Sequence, residues 1–385
     1  MARELINGPR HVVIVGESRS LVNFRGPLIK ALLSYGHRVT AITGNDDPEV
    51  RRTLVAWGAA YEMIPLARAG LNPLADLMTI LRLTWLFRRI RPDVFLGYTI
   101  KPVIYGLVAA YLTNTPRRYV IISGLGYTFT EGREIKRHVL RFISSCIYRF
   151  TLRLADKVIF QNIDDENLFV VRRLVHRDHV ARVEGSGVDL AYYVPKPFPE
   201  MPVTFLLIAR LLRDKGIREY VKAASIVREN FPHARFILVG AQDSNPSGLR
   251  YQEVQDWVRE GIIEYRGELR DVRSSISDCH VFVLPSYREG MPRTILEAMA
   301  MGRPIITTDV PGCRETVKRG VNGFLVPPRN TDALAEAMTM FLKDEGLCRK
   351  MGASSLEVVA SRFAAEEVAV ATLSVMGLLP SGRDL

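Results

Sequence analysis

The chain has 385 residues, of which 48% are hydrophobic and 24% charged, a composition typical of globular proteins and unlike that of disordered or fibrous chains. The longest apolar run, Pro102–Leu112, is shorter than the roughly 20 residues of a membrane-spanning helix, and the first residues lack a signal-peptide pattern. The four cysteines are widely separated in the chain, which predicts reduced thiols rather than disulfides or a zinc site.

The positive charge is concentrated in the first half of the chain. Residues 1–190 contain 27 Lys and Arg against 17 Asp and Glu, whereas residues 191–385 contain 25 against 24. An excess of +10 in one half indicates an anionic partner, such as phosphate, nucleic acid or a lipid surface. An ordinary basic surface would give the same count.

The first half alternates between strand and helix patterns. The segment HVVIVGES is a β-branched run that ends in a glycine turn, and the helical pattern after it stops at Gly36. Four further strands are predicted in this half: RVTAIT, DVFLGY, RYVIIS and DKVIFQ. Strands that alternate with amphipathic helices predict parallel βαβ units.

The same pattern restarts after residues 194–202, VPKPFPEMP, where four prolines predict a stiff, non-helical linker. Five more strands are predicted beyond it: VTFLLIAR, ARFILVG, IIEYRG, HVFVLPS and PIITTD. We therefore expect an α/β fold of two doubly wound, Rossmann-like domains, residues 1–193 and 203–362, that face each other across a cleft. The last segment, about residues 363–385, is helical by pattern and can pack back on the first domain, although periodicity does not decide this.

Two cations follow the first predicted strand of the second domain. Arg210 comes directly after this strand, and Lys215 lies five residues later, before Gly216 opens a helix. A planar guanidinium and a point charge beside a helix start suit a diphosphate. Two solvated surface charges would give the same pattern.

Two glutamates flank the start of another predicted helix in the segment EGMPRTILEAMAMG. Glu289 lies on the loop, Pro292 suits the first helical position, and Glu297 lies inside the helix. The free amides at a helix start attract phosphate, so the two carboxylates are expected to have different roles. The alternative interpretation is a capping Glu289 and an exposed Glu297.

Two features of the first half have more than one interpretation. Gly16 lets the backbone approach a phosphate closely, although the G-x-G-x-x-G dinucleotide fingerprint is absent. Residues 136–153 predict a helix with Cys146, Ile147 and Phe150 on its apolar side. Its basic side carries Arg137, His138, Arg141, Arg149 and Arg153, interleaved with Phe142, Tyr148 and Leu152. Such a side suits an anionic membrane surface or the solvated face of a core helix.

Nearly the whole chain resembles the family 4 glycosyltransferases, which have the GT-B fold. The resemblance rests on the E-x7-E spacing of Glu289 and Glu297, and on RLLRDKG, VEGSGVD and GVNGFLVPP in the same order. The segments TIKPVIYG, ISGLGYTFT and FQNIDDENLF are similar to one branch of that family. This branch includes capsule-type transferases and the enzyme that adds N-acetylgalactosamine to diacetylbacillosaminyl-diphospho-undecaprenol.

The resemblance implies transfer of a sugar from a nucleotide-activated donor, with retention of anomeric configuration and without a metal ion or other cofactor. It implies that Arg210, Lys215 and Glu289 are the catalytic residues, the cations at the diphosphate and the carboxylate at the transferred sugar. Glu297 would bind the ribose. The remaining donor contacts would be Gly16, Tyr265, Arg266, Gly290, Met291, Pro292 and Thr294. Because the stretch that borders the base offers mainly backbone, a UDP-sugar is the expected donor.

The resemblance also implies an acceptor saccharide carried on polyprenyl diphosphate, in bacterial glycan assembly at the inner face of the cytoplasmic membrane. The transferred sugar would be a hexose or an N-acetylhexosamine. Acceptor-side candidates are Ser18, Lys101, Gly124 and Tyr127, with no role assigned to any of them. The histidine that many members carry at this strand end is missing from IISGLGYTF, so its role is not carried over. An anionic membrane surface is an expected partner, and nucleic acid is not. A glycoside hydrolase with paired carboxylates and a non-catalytic transferase-like subunit are the alternatives.

Overall fold

The computed structural model describes residues 8–66, 72–124, 144–243, 245 and 247–379. The chain divides into two compact units, one built from Met1–Gly187 with Ala365–Leu385, and the other from Val188–Ala364. Each unit is built on one parallel β-sheet. The predicted α/β class with two doubly wound domains is therefore confirmed.

The first unit contains a seven-stranded sheet in which every described pair is parallel. Its strands are β1 (His11–Gly16), β2 (Arg38–Thr43), β3 (Ala60–Met63), β4 (Val94–Tyr98), β5 (Arg117–Ile122), β6 (Lys157–Phe160) and β7 (Val180–Arg182). Their order across the sheet is β3-β2-β1-β4-β5-β6-β7. The order reverses beside β1, because β2 and β4 pair with its two edges.

Helices cover both faces of this sheet. They are α1 (Ser18–Asn23), α2 (Gly26–Ser34), α3 (Pro48–Ala56), α4 (Pro73–Ile90), α5 (Ile100–Leu112) and α6 (Ile163–Val171), and residues 144–151 are also helical. Successive residues of β1 point to opposite faces of the sheet and join the hydrophobic cores there. Val13 is in the same core as Leu83 of α4, and Ile14 is in the same core as Leu28 of α2. This alternation follows from the two-residue period of a strand, and it explains why β1 is apolar throughout.

The second unit contains a parallel sheet in the order β10-β9-β8-β11-β12-β13. Its strands are β8 (Thr204–Ile208), β9 (Arg235–Val239), β10 (Glu264–Tyr265), β11 (Val281–Leu284), β12 (Ile305–Thr308) and β13 (Gly323–Val326). Its helices are α7 (Ile217–Asn230), α8 (Tyr251–Arg259), α9 (Arg273–Ser277), α10 (Arg293–Ala300), α11 (Thr331–Lys343) and α12 (Glu345–Arg362). Because all strands are parallel, the loops after β8, β9, β11 and β12 leave the sheet at the same edge.

The last helix, α13 (Ala365–Met376), belongs to the first unit. It packs with α2. Side chains of the first unit also bond to the end of this helix and to the turn after it. The hydroxyl of Tyr119 donates to the carbonyl of Met376 at 2.8 Å, and His37 Nε2 lies 2.9 Å from the carbonyl oxygen of Leu378. The first unit is therefore built from two separate stretches of chain.

The proline-rich segment at residues 194–202 lies inside the second unit, because the division falls earlier, between Gly187 and Val188. Arg303 explains this position. Its guanidinium is fully buried, donates to the carbonyl oxygens of Lys196 and Pro197 at 3.0 Å, and stacks over the ring of Phe198. These contacts hold the segment against the second unit.

The helical residues 144–151 present a different face from the predicted one. Tyr148 and Leu152, expected on the basic side, are buried, whereas Phe150, expected on the apolar side, is 68% exposed. The Tyr148 ring packs edge-on against Phe169 of α6, which fixes this orientation. Across the described residues, no helix is both long and apolar enough to cross a membrane.

Candidate active site

Lys215 and Glu289 meet just beyond the carboxyl ends of β8 and β11 in the second sheet. Lys215 ends a short turn after β8, and Glu289 lies on the loop after β11. The Lys215 Nζ donates to Glu289 Oε1 at 2.5 Å, and the hydroxyl of Ser286 donates to the same oxygen at 2.7 Å. Both charged side chains are largely buried, so the pair is shielded from solvent.

Backbone contacts fix the two loops that carry this pair. Gly216 has φ +69°, and a Cβ there would lie 2.0 Å from the carbonyl oxygen of Pro285. The amide of Tyr287 donates to the carbonyl of Asp214 at 2.8 Å. Glycine is therefore required beside Lys215, because the loop after β11 lies directly against the turn.

A third loop, after β12, supports Glu289 from behind. The amide of Glu289 donates to the carbonyl oxygen of Pro311 at 3.1 Å. Gly312 has φ +79°, and a Cβ there would lie 2.6 Å from the carbonyl oxygens of both Glu289 and Gly290. Gly312 was not predicted from the sequence, although the Pro-Gly pair in DVPGC is the kind of turn signal that marks such a position.

The helix α10 begins at Arg293, one residue later than predicted. Pro292 is its N-cap, with an extended backbone, and no side chain caps this end. The predicted donor contacts Gly290, Met291 and Pro292 therefore lead into an uncapped helix start, and Thr294 lies in its first turn. Such an arrangement favours anions.

Glu297 lies on α10 and is buried, at 7% exposure, so the interpretation as an exposed helix residue is wrong. The Nε of Arg293 donates to Glu297 Oε1 at 3.0 Å, and Tyr193 also hydrogen-bonds to this carboxylate. Burial raises the pKa of Glu297, against the opposing effect of Arg293 and Tyr193. Neither Arg293 nor Tyr193 was selected from the sequence, because only the folded chain shows their contact with Glu297.

The two glutamates therefore have separate partners. Glu289 is held by Lys215 and Ser286, whereas Glu297 is held by Arg293 and Tyr193. Arg210 forms a third pairing, in which its NH1 lies 2.6 Å from Asp243 Oδ2 and the side chain is half exposed. Of the three predicted catalytic residues, the structure thus joins Lys215 to Glu289 and pairs Arg210 elsewhere.

Tyr265 and Arg266 use their side chains within the second unit. The Tyr265 hydroxyl donates to the carbonyl of Gly240 at 2.8 Å, and the Arg266 guanidinium pairs with Asp278 at 2.8 Å. Burial raises the pKa of Tyr265. Any contact of this stretch with a ligand would therefore involve mainly its backbone.

The predicted residues of the first unit have structural partners of their own. A Cβ at Gly16 would lie 2.0 Å from the buried ring of Tyr98, so ring packing alone requires glycine there. Ser18 is buried at the start of α1, and Lys101 Nζ pairs with Asp76 at 2.9 Å. Gly124 has φ +126°.

The other predicted residues of the first unit concern the acceptor and the membrane. Arg149 is exposed and donates to the carbonyl of Arg172 at 3.0 Å. The remaining four lie outside the described residues: Tyr127, Arg137, Arg141 and Phe142.

Two parallel-sheet α/β units with charged groups at the strand ends are the architecture of GT-B glycosyltransferases. Solved structures agree, with a TM-score of 0.76 to a glycosyltransferase from Rickettsia africae, at 18% identity over 96% of this chain and 98% of that one. Anabaena HepE, solved with UDP and glucose, gives a TM-score of 0.74 at 18% identity, over 96% of this chain and 100% of that one.

Family comparison agrees in both units. Residues 25–184 match the family described as "Glycosyl transferase 4-like domain", and residues 202–344 match "Glycosyl transferases group 1". The chain therefore belongs to the group 1, family 4-like glycosyltransferases, and it is a transferase enzyme. The resemblance inferred from the motifs is confirmed.

Curated relatives refine this similarity. The N,N'-diacetylbacillosaminyl-diphospho-undecaprenol α-1,3-N-acetylgalactosaminyltransferase of Campylobacter jejuni is 28% identical over 85% of this chain and 88% of its own. A capsular polysaccharide biosynthesis glycosyltransferase of Staphylococcus aureus is 24% identical, over 79% and 81%. The UDP-Gal:α-D-GlcNAc-diphosphoundecaprenol α-1,3-galactosyltransferase of Escherichia coli is 25% identical, over 74% and 75%.

Proposed function

We propose that this enzyme transfers a hexose or N-acetylhexosamine from a UDP-sugar to a saccharide carried on polyprenyl diphosphate, with retention of configuration. The observation that carries the proposal is the buried Lys215–Glu289 pair beside the uncapped start of α10. The relatives' printed activities on diphospho-undecaprenol sugars support the acceptor class.

The chemistry assigned to the pair follows from where charge develops. As the sugar–phosphate bond breaks, negative charge accumulates on the leaving diphosphate, and a fixed cation stabilises that state more than the ground state. Lys215 supplies this cation, and the amides at the start of α10 supply further donors. Glu289, held in place by Lys215 and Ser286, accepts hydrogen bonds from hydroxyls of the transferred sugar.

The nucleotide is assigned to the stretch around Glu297 and Glu264–Gly267. Glu297 accepts hydrogen bonds from the ribose hydroxyls, and the backbone of Tyr265 and Arg266 borders the base. The Tyr265 side chain bonds to Gly240 and the Arg266 side chain pairs with Asp278. These contacts favour recognition of the base by backbone groups, which suits uracil. Arg210 reaches the diphosphate only if it exchanges Asp243 for phosphate oxygens, and its half-exposed side chain permits this.

Purified protein incubated with a panel of UDP-sugars and a short water-soluble prenyl-diphosphate saccharide tests the proposal, with products read by mass. The expected result is one extended acceptor for each UDP released, in EDTA as well as in buffer, with the donor's anomeric configuration in the product by NMR. Release of UDP and free sugar without acceptor would instead support the hydrolase alternative. UDP binding with no turnover on any acceptor would support the non-catalytic alternative.

The location follows from the acceptor class. An acceptor that is anchored by a polyprenyl chain is presented at a membrane surface, so we place the enzyme as a peripheral protein at the inner face of the cytoplasmic membrane. Fractionation at low and high ionic strength tests this location. Absence from the membrane fraction at every salt concentration would contradict it.

A further inference from the structure

The helix α4 exposes a continuous apolar stripe. At about 100° of rotation per residue, its five residues fall within roughly 100° around the helix axis, so they share one side. They are Leu74, Leu77, Met78, Leu81 and Trp85, and their exposures range from 48% to 78%. The opposite side of the same helix packs Leu83 and Phe87 into the core of the first unit. A helix with one face in the core and a second apolar face in solvent requires an explanation for that second face.

The charges on this exposed side are all positive. Arg88 lies on the stripe's side of the last turn, and Arg82 and Arg89 border it, while the one acidic residue of the helix, Asp76, points away and pairs with Lys101. Arg89 pairs with Glu62 and also contacts the ring of Trp85, with 5.2 Å between guanidinium carbon and ring centroid. An apolar stripe that ends in tryptophan and arginine is typical of helices that lie in a membrane interface.

We propose that this face of α4 docks on an anionic lipid bilayer, with the apolar side chains at the acyl boundary and the arginines among the headgroups. The proposal rests on the proposed function, in which the acceptor is held at a membrane. The +10 charge of residues 1–190 adds long-range attraction to anionic lipids. A second copy of the chain is the less complementary occupant, because α4 has no acidic side chain on this side and the neighbouring Glu62 is already paired with Arg89.

The role of α4 is separable from that of residues 144–151, where Arg149 and Phe150 are also exposed. Those residues suit a membrane as well, but they supply fewer apolar side chains among the described residues. Variants of each element, compared on the same vesicles, decide which one carries the binding.

Co-sedimentation with vesicles of phosphatidylcholine, with and without 30% phosphatidylglycerol, tests the proposal with full-length protein. Leu81→Glu and Trp85→Glu should each lower the bound fraction on anionic vesicles by about tenfold, since a charge replaces an inserted apolar group. Met340→Glu is the matched control, because Met340 is equally exposed on α11 of the other unit, and it should bind like the wild type. Circular dichroism confirms that each variant is folded.

A fluorescence measurement adds a readout at the stripe itself. Emission should shift to the blue when anionic vesicles are added, and Trp85→Phe should bind vesicles but lose that shift. Wild-type binding by Leu81→Glu together with loss of binding by Arg149→Gln would overturn the proposal in favour of residues 144–151. Dimeric wild type that becomes monomeric in Leu81→Glu, without vesicle binding in either, would overturn it in favour of self-association.

The short water-soluble acceptor separates this proposal from the proposed function. If the vesicle results hold but no acceptor is extended by the wild type, the function is wrong and the docking surface stands. If the acceptor is extended but the α4 variants bind vesicles like the wild type, the docking surface is wrong and the function stands.

Discussion

The Nζ of Lys215 lies 2.5 Å from Oε1 of Glu289, so the cation and the carboxylate assigned to the donor already neutralise each other without a ligand. Both are largely buried, and a lone buried charge is costly, so each side chain offsets the cost of burying the other. In the proposed function, a diphosphate pairs with Lys215 and leaves the carboxylate to the sugar hydroxyls. We therefore expect the pair to bind the two halves of the donor rather than to act as an acid–base couple.

Replacing Lys215 with Ala should lower kcat for transfer by about 100-fold or more, because the fixed cation that stabilises the leaving diphosphate is lost. Steady-state UDP release in the presence of acceptor measures the effect. Lys222→Ala is the control, since Lys222 is exposed on the neighbouring α7, and it should retain wild-type rates. Equal loss in both variants would mean that general charge, not the position of Lys215, supports turnover.

Glu289→Gln should reduce transfer strongly without weakening the affinity for UDP itself, because the carboxylate is assigned to the sugar and its loss leaves Lys215 to pair with phosphate. Calorimetry with UDP and a transfer assay with UDP-sugar give the two values. Glu229→Gln, at an exposed position of α7, controls for the change of charge. Full transfer by Glu289→Gln would show that our assignment of Glu289 is wrong.

The pKa of Glu297 predicts a pH dependence of stability. Burial raises this pKa in the folded chain, so above the ordinary value of about 4.3 the folded carboxyl keeps a proton that the unfolded chain has released. As pH rises through the raised value, wild type should therefore lose stability relative to Glu297→Gln, which cannot ionise. Above the raised pKa, the difference in unfolding free energy between wild type and Glu297→Gln should no longer change with pH.

Fluorescence of Trp257 follows this change in the second unit alone, in a background with Trp57→Phe and Trp85→Phe, because these are the other two tryptophans of the chain. Denaturant unfolding between pH 4 and pH 7 supplies the free energies. A difference that shrinks as pH rises would reverse the sign of the pKa shift and contradict the burial argument.

Gly312→Ala should destabilise the second unit and abolish transfer, because the new Cβ would lie 2.6 Å from two carbonyl oxygens of the loop that carries Glu289. Gly320→Ala is a close control: its φ of +76° matches the +79° of Gly312, but its Cβ would meet no atom within 4 Å. Gly320→Ala should therefore lose only the roughly 1–2 kcal/mol of a left-handed non-glycine residue, and retain transfer. Equal activity of the two variants would show that loop support by Gly312 does not matter.

Interior strands of both sheets were predicted from the sequence, and the strands that were missed lie at the edges. β3 and β7 close the two edges of the first sheet, and β13 closes one edge of the second. An edge strand packs against one neighbour and is partly exposed, as at Ala60–Met63, so it lacks the continuous apolar run that marks a buried parallel strand. The edge strand β10 lies within the predicted segment IIEYRG, where two isoleucines precede it.

The candidate site was predictable where residue type and strand end coincide, as for Lys215 and Glu289. It was not predictable where a role depends on a contact across the fold. Tyr193 lies more than 100 residues before Glu297 in the chain, yet it hydrogen-bonds to that carboxylate. Gly16 shows the opposite case, since the ring of Tyr98 provides a packing reason for a glycine that the sequence suggested for a phosphate.

The position of α13 has a consequence for the order of biosynthesis. Tyr119 and His37, made early, find their carbonyl partners only after residue 376 has left the ribosome. The whole of Val188–Ala364 is synthesised in between, which takes roughly 10–35 s at common translation rates. The nascent first unit therefore lacks the helix that packs on α2 throughout the synthesis of the second unit.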